Sequence, residues 1–284
     1  MPTLTRRSLL GRMGLAALTA LTPVGRAAAI RYRDRVLAKH PAAYWPLDEA
    51  SGQSAHDLGG EAHEGAYRGA VAFRQTGPIR AESGGAIGLN GLDAFVEVPD
   101  SPAFSQVTSG RGLSVEAWIR PDQLIFPGQT AEHYVHWLGK GQAGEFEWGF
   151  RFYSKNSSRP NRISAYIWNS SSEPGIANEG AGAYFEDPLE PGGWIHVVGC
   201  FDPGDAGSPY AGVSIYKNGV LRHGPSSSRA ARYAAYAIRP RHGSAPLRLG
   251  TRDQHSFLSG GLAEVAIYPR VLTARDIRDN FSAA

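Results

Sequence analysis

The feature that most constrains the fold of this chain is a succession of short apolar segments separated by turn-forming residues. Clusters of Gly, Pro, Asn, Asp and Ser lie between the segments, and the 284 residues include 35 Gly and 19 Pro. Such a pattern predicts an all-β chain folded as a two-sheet antiparallel sandwich or jelly roll. The predicted strands are residues 43–47, 85–89, 95–98, 113–120, 133–139, 147–153, 162–169, 194–202, 212–217, 246–250 and 261–268.

Local signals at three places add turns and helices to this pattern. Asn218-Gly219 predicts a two-residue hairpin turn with positive φ at both positions. Residues 30–40 predict a short helix that ends before a proline. At the other end, Thr273 and Asp276 form the capping-box pattern of a second short helix.

The chain from residue 30 onward contains neither an internal repeat nor a long linker, so residues 30–284 are predicted to form a single domain. Residues 123–132 and 223–244 are predicted to be loop insertions. The second insertion is rich in arginine. A solvated loop is favoured for it over a cradle for acidic polysaccharide, because the whole chain prefers arginine to lysine.

Residues 1–29 have the order of features expected of an export signal. Arg6 and Arg7 precede Ser8 and two leucines, an apolar run covers 13–24, and three alanines end the segment at 27–29. This order predicts a twin-arginine-type signal and a mature chain that works outside the bacterial cytoplasm, in the periplasm, at the cell surface or beyond. An ordinary N-terminal helix is the alternative, and the apolar run is too short to span a membrane.

The charge of the chain argues against a nucleic-acid partner. The formal net charge is +3, but the leader holds four of the 29 basic residues and no acid, so 25 basic residues face 26 acidic ones in the remainder. No basic footprint for nucleic acid is therefore expected after residue 29. The single cysteine, Cys200, excludes an intrachain disulfide.

Several short motifs, in this order, resemble the laminin-G-like domains of exported bacterial proteins, which have the concanavalin A-like lectin/glucanase jelly roll. The motifs are Tyr44-Trp45-Pro46-Leu47-Asp48-Glu49, Leu113-Ser114-Val115-Glu116-Ala117-Trp118, Trp194-Ile195-His196, Ile215-Tyr216-Lys217-Asn218-Gly219 and Gly261-Leu262-Ala263-Glu264-Val265. The resemblance covers about 30–284. It implies the jelly roll but not the ligand, because this fold hosts lectins, hydrolases, lyases and structural modules.

The resemblance also implies a candidate calcium site near the two chain ends. Its carboxylates are Asp48, Asp57 and Glu264. Many relatives place an aspartate before this glutamate, and here that position is Ala263, which weakens the expectation. The alternative is that the aspartates cap turns and the glutamate forms a salt bridge. No cofactor is required by either interpretation.

Two neighbouring predicted strands alternate in a way that indicates a sugar-binding face. In 147–153 and 162–169 one face is purely apolar and is expected to point into the core. The opposite face presents Arg151, Tyr153, Arg162, Tyr166 and Trp168. Aromatic rings pack on the C–H face of a sugar, and Arg and Tyr supply directed hydrogen bonds. The open alternative is that these rings pack under the inserted loops.

The sequence contains only part of one known catalytic motif. Glu145 and Glu147 share a strand face and resemble part of the acidic strand of jelly-roll glycoside hydrolases, but the third acid is missing. Neither a nucleophile elbow nor a zinc-protease helix motif occurs. We assign no catalytic residue.

The sequence therefore predicts an exported, lectin-like module that binds a polysaccharide or other glycan without catalysis. Two alternatives stay open: a cell-envelope or adhesive domain that binds a protein, and a glycoside hydrolase or polysaccharide lyase of the same fold.

Overall fold

A computed structural model describes residues 31–79, 85–126, 133–169, 180–202, 212–223 and 240–284. Within them the chain forms two antiparallel sheets of eight strands each and two short α-helices, which confirms the predicted two-sheet sandwich. The helices are α1 (Tyr32–Leu37) and α2 (Ala274–Phe281). The strands are β1 (Ala43–Trp45), β2 (Ser54–Ala55), β3 (Gly65–Arg68), β4 (Ala72–Thr76), β5 (Gly85–Asn90), β6 (Phe95–Val98), β7 (Leu113–Pro121), β8 (Tyr134–Lys140), β9 (Trp148–Tyr153), β10 (Ile163–Trp168), β11 (Gly180–Phe185), β12 (Ile195–Asp202), β13 (Gly212–Lys217), β14 (Val220–His223), β15 (Leu247–Leu249) and β16 (Ser259–Tyr268).

The two sheets differ in what covers their outer faces. The first sheet has the order β14-β13-β12-β7-β16-β5-β4, with β1 also paired to β16. Both helices pack on its outer face through a second apolar cluster that includes Tyr32, Val36, Trp118 and Ile277. The second sheet has the order β11-β10-β9-β8-β15-β6-β3-β2 and carries polar and aromatic side chains on its outer face.

The main core lies between the sheets and follows the predicted alternation. Its side chains from β9 and β10 are Trp148, Phe150, Phe152, Ile163, Ala165 and Ile167, all buried. Consecutive strand residues point to opposite faces, so the intervening residues of both strands must lie on the outer face. The predicted inward and outward faces of these two strands are confirmed.

The predicted turn and helix cap are also confirmed. Asn218 has φ 51° and Gly219 has φ 75°, so both lie in the left-handed region that a two-residue hairpin requires. Thr273 caps α2, and its hydroxyl and backbone N–H exchange hydrogen bonds with Asp276 in a complete capping box. Helix α1 ends at Leu37, three residues before the predicted end.

All eleven predicted segments contain strands, and the structure adds five more, β2, β3, β4, β11 and β14. Strand β11 escaped prediction because its sequence, Gly-Ala-Gly-Ala-Tyr-Phe, has small residues that rank low as strand formers. The predicted leader and much of both predicted insertions, at 127–132 and 224–239, lie outside the described residues. None of the helices in the described ranges has the length and apolarity needed to cross a bilayer.

Candidate functional site

The outer face of the second sheet contains a groove over strands β9, β10 and β11. Its volume is about 240 Å³. We call it the β9–β11 groove, and its lining residues are Arg151, Tyr153, Arg159, Arg162, Ser164, Tyr166, Trp168, Gly180, Ala181, Gly182, Ala183 and Tyr184. All five residues predicted for the sugar-binding face are among them.

Strand register places these side chains together. Ser164 on β10 is paired with Arg151 on β9 and with Tyr184 on β11. Tyr166 lies between two glycines, Gly149 and Gly182. A Cβ atom at Gly182 would lie 2.9 Å from the Cβ of Tyr166, so only glycine leaves the Tyr166 ring its place. Small residues on β11 thus form the floor beside the aromatic rings.

Arg151 is the centre of the aromatic cluster in the groove. The carbon of its guanidinium lies 4.3 Å from the ring centroids of Tyr134 and Tyr166 and 5.0 Å from that of Trp168. These distances are those of cation–π interactions, which hold the planar guanidinium against the rings. Its Nη1 also donates to the hydroxyl of Tyr153 at 3.4 Å. The groove is therefore positively charged and aromatic at the same place.

Trp168 and Tyr166, two of the aromatic residues of the predicted sugar-binding face, differ in exposure. Trp168 is partly exposed, whereas Tyr166 is only 8% exposed. The ring of Tyr166 meets that of Trp168 edge to face at 4.2 Å and lies under Arg151. The sugar-binding face predicted from these strands is a groove in the structure, and the guanidinium of Arg151 lies against its neighbouring rings.

Two hydroxyl groups in the groove lack partners in the described structure. The hydroxyl oxygens of Ser164 and Tyr166 are buried and make no hydrogen bond. Buried polar atoms in native proteins almost always have partners. Both are therefore unsatisfied hydrogen-bonding groups of residues that line the groove.

Sequence reasoning missed Arg159, Ser164 and Tyr184. Arg159 donates to the hydroxyl of Tyr153 at 3.3 Å, and the guanidinium of Arg162 lies 3.9 Å from the ring centroid of Tyr184. The alternation of its strand places Ser164 on the outer face, but a single serine does not by itself indicate a binding site. Tyr184 had no signal, because β11 was not predicted as a strand.

Of the candidate acids Glu145 and Glu147, the second has a structural role in this arrangement. Glu147 is fully buried, and its Oε1 lies 3.0 Å from Lys140 Nζ and accepts a hydrogen bond from Gly243 N at 3.0 Å. Glu145 is partly exposed and accepts from Gln142. An ammonium group bound to Glu147 ties strand β8 to the segment at Gly243, so this carboxylate has no access to a substrate.

Comparison with known families shows the superfamily to which the chain belongs. The sequence model described as the concanavalin A-like lectin/glucanases superfamily, Laminin_G_3, matches residues 90–278. The chain belongs to this superfamily. No curated protein shows a significant sequence match to it.

Solved structures share the superfamily fold with this chain at low identity. The binding domain of botulinum neurotoxin DC in complex with rat synaptotagmin II is 14% identical, with a TM-score of 0.58 over 86% of this chain and 51% of that one. A structure concerned with the entry of botulinum neurotoxin type C into cells, dependent on two ganglioside molecules, gives the same values. The type C1 binding domain is 12% identical, with a TM-score of 0.58 over 87% and 52%. The chain spans about half the length of these structures, and the likeness shows the fold alone.

The carboxylates that the superfamily resemblance brought together for calcium are engaged by the protein itself. A nitrogen of Arg33 lies 2.8 Å from Asp48 Oδ2 and 3.4 Å from Glu264 Oε1. Glu264 also accepts a hydrogen bond from the hydroxyl of Tyr44. A guanidinium thus lies where a cation would have to bridge the two carboxylates.

Asp57 serves a turn instead. Its Oδ1 accepts from the backbone N–H of Tyr44 and of Gly59, each at 2.7 Å, and its Oδ2 accepts from that of His63 at 2.8 Å. In the described ranges no group of three or more His, Cys, Asp or Glu side chains is arranged to hold a metal ion. Asp48, Asp57 and Glu264 therefore do not fit calcium, which needs several free oxygens around one point.

Proposed function

We propose that this superfamily member is an exported carbohydrate-binding module without catalysis, and that a glycan binds in the β9–β11 groove. The leader at 1–29 supports export. The observation that carries the proposal is the groove itself, where aromatic rings and arginines line one volume of about 240 Å³ and the buried hydroxyls of two lining residues lack partners in the described structure.

The chemistry of the groove matches that of a sugar ring. A sugar presents an apolar C–H face to an aromatic plate and a rim of hydroxyls to hydrogen-bonding groups. Trp168 and Tyr184 supply partly exposed rings, and Ser164 and Tyr166 supply hydroxyls that lack partners in the described structure. Stacking and hydrogen bonding suffice for selective binding and need no catalytic group.

The similar solved structures support a binding role in general terms. One is a toxin binding domain solved with a protein partner, and one concerns the ganglioside-dependent cell entry of a toxin. Because they match this chain over about half of their length, they support a binding jelly roll without locating its ligand.

Replacement of Trp168 by Ala tests the site. The purified chain is applied to a panel of soluble and insoluble polysaccharides, and retention is measured for both proteins. We expect affinity for the retained glycan to fall at least about tenfold, because a central stacking ring is a binding hot spot.

Trp194→Ala is the matched control, since Trp194 also lies against an arginine, Arg120, but outside the groove and next to β12 of the other sheet. Retention that survives Trp168→Ala would discard the groove as the site. Failure of every glycan to retain the unmodified chain would reject the carbohydrate-binding function and favour a protein partner in the cell envelope.

Metal removal gives a second test. Because Arg33 occupies the position between Asp48 and Glu264, we expect EDTA to leave both glycan retention and the melting temperature unchanged. Loss of retention in EDTA, restored by calcium, would contradict the structural role that we give these carboxylates.

A further inference from the structure

We propose that the β9–β11 groove selects an acidic glycan, and that the guanidinium of Arg151 binds its carboxylate or sulfate group. This inference rests on the carbohydrate-binding function proposed above and adds the class of ligand.

The positive charge of Arg151 is not balanced by a carboxylate in the described structure. Its contacts there are the rings of Tyr134, Tyr166 and Trp168, the hydroxyl of Tyr153 and a nitrogen of His136. Arg162 differs, because it forms an ion pair with Glu186. Arg151 is partly exposed at the groove, so we assign recognition of a negative charge to it.

The orientation of Arg151 is fixed from behind by a buried histidine. Its Nε donates to His136 Nε2 at 3.1 Å. Burial, followed by the charges of Arg252 and Arg151, holds the pKa of His136 well below its ordinary value, so the ring is neutral. Because Nε2 must accept from the arginine, the ring proton is on Nδ1, which lies 3.5 Å from Asp253 Oδ2.

This arrangement leaves the outer edge of the guanidinium for a ligand. Rings and His136 occupy its faces and its Nε, while Nη2 makes no hydrogen bond within the described residues. A planar guanidinium with free N–H groups binds two oxygens of a carboxylate or sulfate side by side. Because the arginine is already held in one orientation, it loses little further rotamer freedom when a ligand binds.

A second positive charge lies next to Trp168. Arg252 is 2% exposed, and its guanidinium carbon lies 3.9 Å from the ring centroid of Phe146 and 4.9 Å from that of Trp168. Burial lowers the pKa of Arg252 to about 10, which still leaves it charged at neutral pH. Its Nε and Nη1 lack hydrogen-bond partners in the described structure, and Asp253 is its ion-pair partner. Because Asp253 balances the charge of Arg252, the charge at the groove that has no carboxylate partner in the described structure is that of Arg151.

The unpartnered hydroxyls complete the subsite. Ser164 is paired with Arg151 across β9 and β10, so the two side chains leave the same face of the sheet at neighbouring positions, and the buried Ser164 hydroxyl lacks a partner in the described structure. The hydroxyl of Tyr166 is the second buried donor in the same groove. An acidic sugar offers an anionic group to the arginine and ring hydroxyls to these two side chains.

The test compares acidic glycans with partners that differ only in charge. One pair is polygalacturonate and its fully methyl-esterified form, and a second pair is chondroitin sulfate and desulfated, carboxyl-esterified chondroitin. Affinities of the purified chain for all four are measured by titration at low and high NaCl. We expect one acidic polymer to bind at least about tenfold more tightly than its neutral partner, and salt to weaken only the acidic one.

Arg151→Gln is expected to abolish the preference, and Arg151→Lys to retain part of it, because lysine keeps the charge but loses the planar fork. The ratio of acidic to neutral affinity is taken on the same protein sample, so partial unfolding of a variant cancels. Arg120→Gln, on the other sheet and paired with Asp122, is the control expected to leave the ratio unchanged.

The outcomes separate the inference from the function on which it rests. Equal affinity for acidic and neutral partners, with both lost on Trp168→Ala, would overturn the acidic ligand and keep the carbohydrate-binding groove, as would binding of neutral glycans alone. A charge preference that survives Arg151→Gln would also overturn the inference. If none of these polymers and no glycan of the wider panel binds, both the proposed function and the inference fail.

Discussion

Glu116 is a fully buried carboxylate on the outer face of the first sheet, and four side chains from four other elements surround it. The hydroxyls of Tyr32 and Tyr268 donate to it at 2.9 and 2.7 Å, Asn280 Nδ2 donates at 2.8 Å, and His196 Nε2 lies 2.7 Å away. Both terminal helices are thereby tied to the sheet through one acceptor. His196 therefore has a structural role in this cluster.

Removal of that acceptor is expected to be costly. Glu116→Ala should lower the free energy of unfolding by about 3 kcal/mol, because it leaves several buried donors without an acceptor. Urea denaturation measures the change. Glu61→Ala, at a side chain 70% exposed, is the control and should stay within about 0.5 kcal/mol of the unmodified chain. Equal stability of the two variants would refute the role of Glu116.

The same residue predicts a pH dependence. Burial raises the pKa of Glu116, but hydrogen bonding to His196, the charge of His196 and the donors Tyr268 and Asn280 outweigh it, so the pKa lies below the ordinary 4.5. The stabilisation is therefore present above about pH 4.5 and is lost as the pH falls through the lower folded-state pKa. Urea denaturation between pH 3 and 7 should show a steeper acid loss for the unmodified chain than for Glu116→Gln. Parallel curves would contradict it.

At the scale of elements, helix α2 depends on its first turn. The helix has eight residues, too few to be stable alone, and it docks through Ile277 and Asn280. Its capping box satisfies two backbone N–H groups that would otherwise lack partners, with Asp276 N donating to Thr273 Oγ1 at 3.1 Å.

Thr273→Ala should lower the free energy of unfolding by about 1 kcal/mol, because the first turn of α2 loses its acceptor. Thr273→Ser keeps a hydroxyl at the same position and should remain close to the unmodified chain. Thermal unfolding followed by circular dichroism measures both. A serine variant as unstable as the alanine variant would show that the methyl group, not the cap, is what matters.

At the scale of the whole molecule, the two sheets approach closely where β9 faces β12. A Cβ atom at Gly199 of β12 would lie 2.6 Å from Cζ of Phe150 and 3.0 Å from Cβ of Ala165, both on the opposite sheet. Interiors are close-packed, so the sheets must move apart to admit even one methyl group there. The spacing of the sandwich thus depends on a glycine in a central strand.

Gly199→Ala is expected to lower the free energy of unfolding by about 2 kcal/mol through overpacking. Gly193→Ala is the matched control, because the nearest atom to its added Cβ would be 3.7 Å away. Urea denaturation distinguishes them. Since the groove lies on the outer face, folded Gly199→Ala protein should retain its glycan affinity. A stability equal to that of the control would mean that the sheets do not meet as closely as described.

Much of the fold and part of the site follow from local sequence. Alternation in β9 and β10 predicts which side chains face outward, and hence Arg151, Tyr153, Arg162, Tyr166 and Trp168 as one group. Turn and cap chemistry act over two to four residues, so Asn218-Gly219 and Thr273 are also predictable. These signals are local because they depend on backbone geometry and side-chain periodicity alone.

Some features, such as strand pairing and ion-pair partners, depend on contacts between separate segments, and only the tertiary structure shows them. That Arg33 reaches Glu264 and that Glu147 accepts a hydrogen bond from Gly243 both bring together segments far apart in sequence. That β11 joins β10 and closes the groove depends on a strand whose own residues give no strand signal. No periodicity encodes such pairings, because they are selected by the packing of the whole sandwich. The sequence alone determined the class of sandwich and the faces of β9 and β10, because these depend on local periodicity. The packing of the whole chain decided the strand order and which charged side chains found partners, because these depend on contacts between separate segments.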